Sequence, residues 1–164
     1  MRRVLLASLV ICMLALLSTL SMSVHATPLT PASGTWTYIP ADMTLTRSAD
    51  GNTFYEAKSI DIVTGTFEGP GTGVDILVLH SSGFWTGIGV ATFVDCMVDG
   101  KSGTLVIRWA AHATAETGLW SGQWVILSGT GELANLRGQG TFWGPVNPEG
   151  INYPYSGWIH FEPA

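Results

Sequence analysis

Charged residues are scarce in this sequence of 164 residues: 12% are Asp, Glu, Lys or Arg, whereas 46% are apolar. Seven Lys and Arg face twelve Asp and Glu, for a formal net charge of −5. The lack of a basic surface argues against nucleic-acid binding. The apolar content excludes an intrinsically disordered chain, and the length favours a single domain.

The amino terminus has the three parts of a secretory signal peptide. Arg2 and Arg3 precede an almost wholly apolar run over residues 4–20, and a small-x-small sequence ends at Ala26. The pattern predicts a signal peptide over 1–26, a single domain over 27–164, and a secreted, periplasmic or cell-envelope protein. A retained anchor is the alternative, although the run is shorter than the ~20 residues of a spanning helix.

Cysteine is nearly absent, since the sequence contains only Cys12 and Cys96. Cleavage after Ala26 would leave Cys96 alone, so we expect no internal disulfide and a buried thiol. The mature domain would also keep five basic residues against twelve acidic ones. This acidity predicts no nucleic-acid partner and, after cleavage, no association with anionic membranes.

A sustained helical periodicity is missing, and 20 glycines instead separate short runs rich in β-branched and aromatic residues. This pattern is typical of strands joined by turns, with hairpins at Asp50-Gly51 and Asp99-Gly100. One short helical turn is predicted over 132–137. An all-β fold follows, and a closed antiparallel barrel would remove exposed edges, although a sandwich is also compatible. We predict strands over residues 34–39, 54–67, 72–80, 85–98, 103–114, 119–127, 140–143 and 153–161.

Alternation along the fourth and fifth strands predicts which side chains point inward. In the fifth strand the wholly apolar set that includes Trp109 should face the interior, with Arg108 and His112 outside. In the fourth strand Asp95 should lie outside, so that the interior set is Val90, Thr92, Val94, Cys96 and Val98. The third strand is apolar on both faces apart from Asp75, so we expect the N-terminal segment or a partner to cover its outer face.

Motifs for known chemistry are missing. The Gly-x-Gly-x-x-Ala pattern at Gly129 lacks the following helix that a dinucleotide site needs. No Gly-x-Ser-x-Gly nucleophile elbow occurs, and no histidine pair has metal-ligand spacing. We therefore predict no catalytic residues, no metal and no cofactor. The seven tryptophans are dense, and some of them could line a ligand pocket.

One stretch resembles the hallmark of a bacterial family of unknown function that is classed with the allene oxide cyclase barrel-like fold. The resemblance rests on the hairpin at 99–105 and on the run Gly129-Thr130-Gly131-Glu132-Leu133-Ala134-Asn135-Leu136-Arg137-Gly138. It implies an eight-stranded antiparallel β-barrel without an assigned activity. Plant allene oxide cyclases share the barrel and isomerise a fatty-acid epoxide without a cofactor. The resemblance also implies a Glu near Thr92 and a His near Trp109. This chain has no acid or base at these two inferred inward positions, which weakens any acid/base mechanism in the barrel interior.

Three functions remain open at this stage. The protein could bind a small hydrophobic or aromatic molecule inside the barrel, with an interior formed by Thr92, Val94, Trp109 and Trp124. It could instead be a structural or interaction barrel with a filled core. A cofactor-free isomerase or cyclase of a hydrophobic substrate is the third possibility, and the missing catalytic groups make an enzyme the less favoured class. The sequence leaves the oligomeric state open.

Overall fold

The computed structural model describes residues 27–114, 116–145 and 151–163. The predicted signal peptide over 1–26 lies outside the described residues. These residues form eight strands, and each is antiparallel to its neighbours in sequence. The strands are β1 Thr30–Ala49, β2 Asn52–Gly65, β3 Phe67–Leu79, β4 Trp85–Val98, β5 Lys101–Thr114, β6 Leu119–Gly129, β7 Leu136–Pro145 and β8 Ile151–Phe161.

The sheet closes into a barrel because β1 also pairs with β8, from Thr30 opposite Ile159 to Tyr38 opposite Ile151. The predicted all-β fold is therefore confirmed. Among the described residues, β1 pairs with β2 alone beyond Tyr38, so the β1–β2 hairpin extends past the pairing of β1 with β8. In the described part of the chain, no helix is long and apolar enough to cross a membrane.

The two predicted hairpin turns are confirmed. Asp50 and Gly51 have φ values of 52° and 76°, and Asp99 and Gly100 have values of 53° and 73°. Two consecutive positive φ angles match the right-handed twist of the flanking strands, and Asp-Gly reaches them at low cost. Ala49 consequently pairs with Asn52, and Val98 pairs with Lys101.

The predicted turn over 132–137 is shorter than expected. A single turn of 3₁₀ helix covers Gly131–Leu133, and β7 already begins at Leu136. Gly131 has a φ of 60°, and both Leu133 and Leu136 are fully buried. The connection between β6 and β7 therefore does not continue as a longer helix. It folds over the end of the barrel, where the burial of these two leucines stabilises it.

The β4 side chains correct the predicted orientation of this strand. Ala91 and Phe93 are fully buried, whereas Val94 is 57% exposed and Thr92 lies on the outer face between buried neighbours. The inward placement of Val90, Thr92 and Val94 was therefore wrong. A bulge between Phe93 and Cys96 explains the error, because it adds one residue and reverses the alternation.

Beyond that bulge the prediction for β4 holds. Asp95, with a φ of 59°, lies outside, and Cys96 and Val98 are fully buried. The β5 prediction also holds, since Leu105 and Ile107 are fully buried while Arg108 and His112 are exposed. On the outer face of β3, Val74 and Ile76 remain more than half exposed in the described part of the chain.

Candidate functional site

One end of the barrel is filled by side chains. Phe67 stacks on Tyr155 with ring centroids 5.3 Å apart, and Trp124 meets Phe67 edge-on at 5.4 Å. The Tyr155 hydroxyl accepts a hydrogen bond from the Phe67 backbone N–H and donates to the Thr64 carbonyl. Leu133 and Leu136 complete the packing. Among the described residues, these side chains fill the interior of the barrel at this end.

The opposite end contains a pocket with a volume of about 350 Å³. That volume lies within the usual range for small-molecule sites. Most of the lining residues are buried or half-buried, and the exposed ones form a rim on the β1 part of the β1–β2 hairpin. We call this cavity the aromatic pocket. Its lining residues are Trp36, Tyr38, Pro40, Asp42, Met43, Ala57, Leu77, Trp85, Trp109, Ala111, Trp120, Phe142, Ile151 and Tyr153.

Two other depressions, of about 600 and 830 Å³, are less suited to bind a small molecule. The first lies around the Asp99-Gly100 hairpin, and the second lies on the outer wall around Arg108 and Trp158. Both are lined mostly by exposed residues. They offer shallow surface contacts instead of the buried apolar walls of the aromatic pocket.

Two buried carboxylates stand behind the aromatic pocket, on β2 and β3. Asp61 and Asp75 are almost fully buried. The Trp36 indole donates to Asp61 Oδ1 at 2.8 Å, and the Ser59 hydroxyl donates to Oδ2 at 2.9 Å. Because each oxygen has a partner, the carboxylate can be buried without the full cost of an unpaired charge.

Asp75 repeats the arrangement with partners from other strands. The Trp109 indole donates to its Oδ1 at 3.1 Å, and the Tyr38 hydroxyl donates to its Oδ2 at 3.1 Å. Tyr38 and Trp109 line the pocket, so Asp75 is separated from the pocket by one layer of side chains. A side chain at Gly89 would collide with this carboxylate and the Trp109 indole. Glycine at this position therefore makes room for the hydrogen bonds.

Burial shifts the acidity of these groups. Desolvation raises the pKa of Asp75 to about 7, the hydrogen bond from Tyr38 opposes that rise, and the charge of Asp61 adds to it. Desolvation also raises the pKa of Asp61, against the hydrogen bonds from Trp36 and Ser59. Burial and the neighbouring Asp75 raise the pKa of the Tyr38 phenol. Tyr38 therefore remains protonated, whereas Asp75 titrates near neutral pH.

The inferred inward positions on β4 and β5 have no acid, but the barrel interior contains two acids, on β2 and β3. These were missed because inward residues were assigned on β4 and β5 alone. A signal was present, because the residues on the Asp75 face of β3 include Gly71 and Gly73 at alternate positions. Glycines that alternate on one face leave space for larger groups from other strands. On β2, Ile60 and Ile62 are exposed on the outer face while Asp61 is buried, so apolar character alone does not identify the inward face of this strand.

Of the four predicted site residues, only Trp109 lines the aromatic pocket. Trp124 points inward but packs in the filled end, where its indole nitrogen is buried without a hydrogen-bond partner among the described residues. Thr92 and Val94 lie on the outer face of β4. In the part of the chain that the structure describes, no three metal-ligating side chains come together.

The fold and this site define a closed, antiparallel eight-stranded barrel with an aromatic interior pocket. A family model described as "Protein of unknown function (DUF3224)" matches residues 32–149, and the chain belongs to that family. No functionally curated protein matches the sequence.

Two solved structures are similar to this chain. One is a protein of unknown function from Shewanella oneidensis MR-1 that belongs to the same family. It is 16% identical to this chain, with a TM-score of 0.63, and the match covers 85% of this chain and 100% of that one. A protein of unknown function from Clostridium acetobutylicum is 11% identical, with a TM-score of 0.52, over 82% and 99%. These similarities show the fold alone. The naming of the barrel after allene oxide cyclase stays a prediction.

Proposed function

We propose that this protein binds a small hydrophobic molecule in the aromatic pocket. The observation that carries the proposal is a cavity of about 350 Å³ in which half of the lining residues are aromatic. Ligand sites are typically concave and apolar, with a few polar groups that orient the ligand. Here Tyr38 and Tyr153 supply hydroxyl groups. A structural barrel with a filled core would instead resemble the opposite end at both ends.

A neutral fluorescent probe, N-phenyl-1-naphthylamine, tests this proposal against a matched pair of variants. Ala111 is a buried residue of the pocket wall, whereas Ala110 is exposed on the outer face of the same strand. We expect Ala111→Phe to weaken probe binding at least tenfold and Ala110→Phe to leave it unchanged, with near-UV circular dichroism confirming both folds. Equal binding by the two variants, or no binding by the native protein, would refute the proposal.

We propose in addition that the protein acts outside the cytoplasm, after cleavage between Ala26 and Thr27. The charged start, the apolar run and the small-x-small end of residues 1–26 support this. Amino-terminal sequencing of the exported protein should begin at Thr27. A sequence beginning at Met1 would instead support the retained anchor.

Asp75 and Tyr38 favour a second candidate, the cofactor-free isomerase or cyclase. A carboxyl group whose pKa is about 7, hydrogen-bonded to a phenol in the pocket wall, could exchange a proton with a bound substrate through Tyr38. The test is rearrangement of an uncharged, unsaturated epoxide by the native protein and by Tyr38→Phe. Turnover that is lost in the variant would establish the enzyme, and no turnover would leave binding as the function.

A further inference from the structure

The walls of the aromatic pocket carry acidic groups and lack basic ones. Asp42 stands at the rim, and the lining residues include no Lys, Arg or His. Asp75 lies one layer behind the wall, and Asp61 lies near it on the adjacent strand. Among the described residues, every Lys and Arg lies exposed or half-exposed, and neither buried aspartate forms an ion pair. The interior therefore has an uncompensated negative charge when Asp75 is ionised.

Three polar groups of the wall, those of Tyr38, Trp109 and Trp36, donate their hydrogens to buried aspartates instead of to the pocket. The Tyr38 hydroxyl has a single proton, and it is donated to Asp75. The indole N–H groups of Trp109 and Trp36 are donated to Asp75 and Asp61. What remains available at Tyr38 is its oxygen lone pairs, which accept hydrogen bonds. At these three groups a ligand carboxylate or phosphate would find acceptors and negative charge instead of donors.

The aromatic side chains of the pocket also favour a cationic ligand. The face of an aromatic ring is negative and attracts a cation placed within about 6 Å of its centre. Trp85 and Trp120 are half-buried at the mouth of the aromatic pocket, and Trp36, Trp109 and Phe142 lie deeper. Rings on several sides of one cavity can surround an ammonium group, as aromatic cages do for quaternary ammonium ligands.

We propose that the ligand of the aromatic pocket is a small hydrophobic cation, an amine or quaternary ammonium that carries an apolar group. This inference rests on the binding function proposed above and specifies the chemistry of its ligand. The apolar part would contact Leu77, Ile151 and the rings, and the cationic part would lie against the aromatic wall in front of Asp75. Charge, hydrogen-bond polarity and ring faces all favour this class over anions.

Two compounds of the same shape separate the charge from the apolar contact. Benzyltrimethylammonium is a cation, and neopentylbenzene replaces its nitrogen by carbon and is neutral. Displacement of N-phenyl-1-naphthylamine at pH 8 would measure both affinities. We expect the cation to bind about tenfold more tightly than the neutral compound, which is the size of a partly desolvated cation–π contact. Equal affinity, or tighter binding of the neutral compound, would overturn the inference while leaving the binding function intact.

Asp75→Asn keeps an amide in the place of the carboxyl group and removes its charge. We expect this variant to lose most of the preference for the cation, measured as the ratio of its affinities for the two compounds. Asp95→Asn is the matched control because Asp95 is exposed outside the barrel, and its preference should be unchanged. If Asp75→Asn failed to fold, the affinities of the native protein for the two compounds would still show whether the pocket prefers a cation. If the native protein bound neither compound nor the fluorescent probe, the proposed function itself would fail.

Discussion

The filled end and the pocket end of the barrel use the same kinds of side chain with different results. At the filled end the segment Gly131–Leu133 folds over the opening and buries Leu133 completely. At the pocket end Trp85 and Trp120 keep part of their rings exposed. A buried aromatic ring contributes most when all its faces are covered. The pocket end has consequently given up packing energy that the filled end gains.

This comparison gives the family hallmark a structural role. Thr130 donates from its backbone to the Thr104 carbonyl and accepts from the Thr104 N–H, and Glu132 accepts from the Ser102 N–H. The two segments that carry the family resemblance therefore hold each other at the filled end. They cover the opening of the barrel at its filled end, and they lie away from the aromatic pocket. Membership of the family, argued from those residues, says little about the ligand.

The largest expected effect distinguishes inside from outside on β4. Phe93 is fully buried and meets Trp36 edge-on at 5.4 Å, whereas its neighbour Val94 is 57% exposed. We expect Phe93→Ala to lower the free energy of unfolding by about 3–5 kcal/mol, because it leaves a cavity in the core. Val94→Ala should change it by about 0.5 kcal/mol or less. Urea unfolding measures both, and the reverse order would restore the orientation predicted from the sequence.

That pair of residues also shows where prediction from sequence ends. The hairpins were predictable because Asp-Gly has a local conformational preference, and the strands were predictable from composition. The bulge at Asp95 left no comparable sign, because Asp reaches a positive φ only occasionally and tertiary packing decides where. The buried aspartates were missed for a related reason. Their burial depends on hydrogen bonds from distant Trp36, Tyr38 and Trp109, and only the closed barrel brings these together.

A smaller effect is expected at the boundary between pocket and core. Trp109 packs edge-on against Phe142 at 6.2 Å and donates to Asp75, but it is only half-buried. We expect Trp109→Ala to cost about 3 kcal/mol of stability, at the lower end for a large aromatic residue. Its exposed neighbour Arg108 provides the control, since Arg108→Ala should cost less than about 1 kcal/mol. Similar losses in urea unfolding would contradict the interior position of Trp109.

The buried acids should make stability depend on pH. The folded-state pKa of Asp75 is raised to about 7, whereas an unfolded Asp titrates near 4. The folded protein therefore binds more protons between these values, and its stability falls as pH rises from about 4 to about 7. Tyr38 from β1 and Asp61 from β2 are the titratable groups that face Asp75, and the raised pKa of Asp61 acts in the same direction.

For Asp75 alone the fall between pH 5 and pH 7 should be about 2 kcal/mol, at about 1.4 kcal/mol per unit. Asp75→Asn should remove that part of the slope, while Asp95→Asn, on the outer face, should keep it. Urea midpoints at pH 5, 6 and 7 would measure the three proteins. A native protein whose stability rose over this interval, with Asp75→Asn following it in parallel, would show that Asp75 is ionised throughout.

The smallest effect concerns Cys96 at the filled end. Its side chain is fully buried beside the β4 bulge, and it is unbridged in the described part of the chain. Desolvation raises the pKa of its thiol to about 11, and the reactive thiolate is therefore rare at neutral pH.

We expect a reducing agent to leave the melting temperature of the mature domain unchanged. A thiol reagent such as 5,5′-dithiobis(2-nitrobenzoic acid) should react only after denaturation in urea. Rapid reaction in the native state would mean that the filled end opens as readily as the pocket end, and the contrast between the two ends would then be lost.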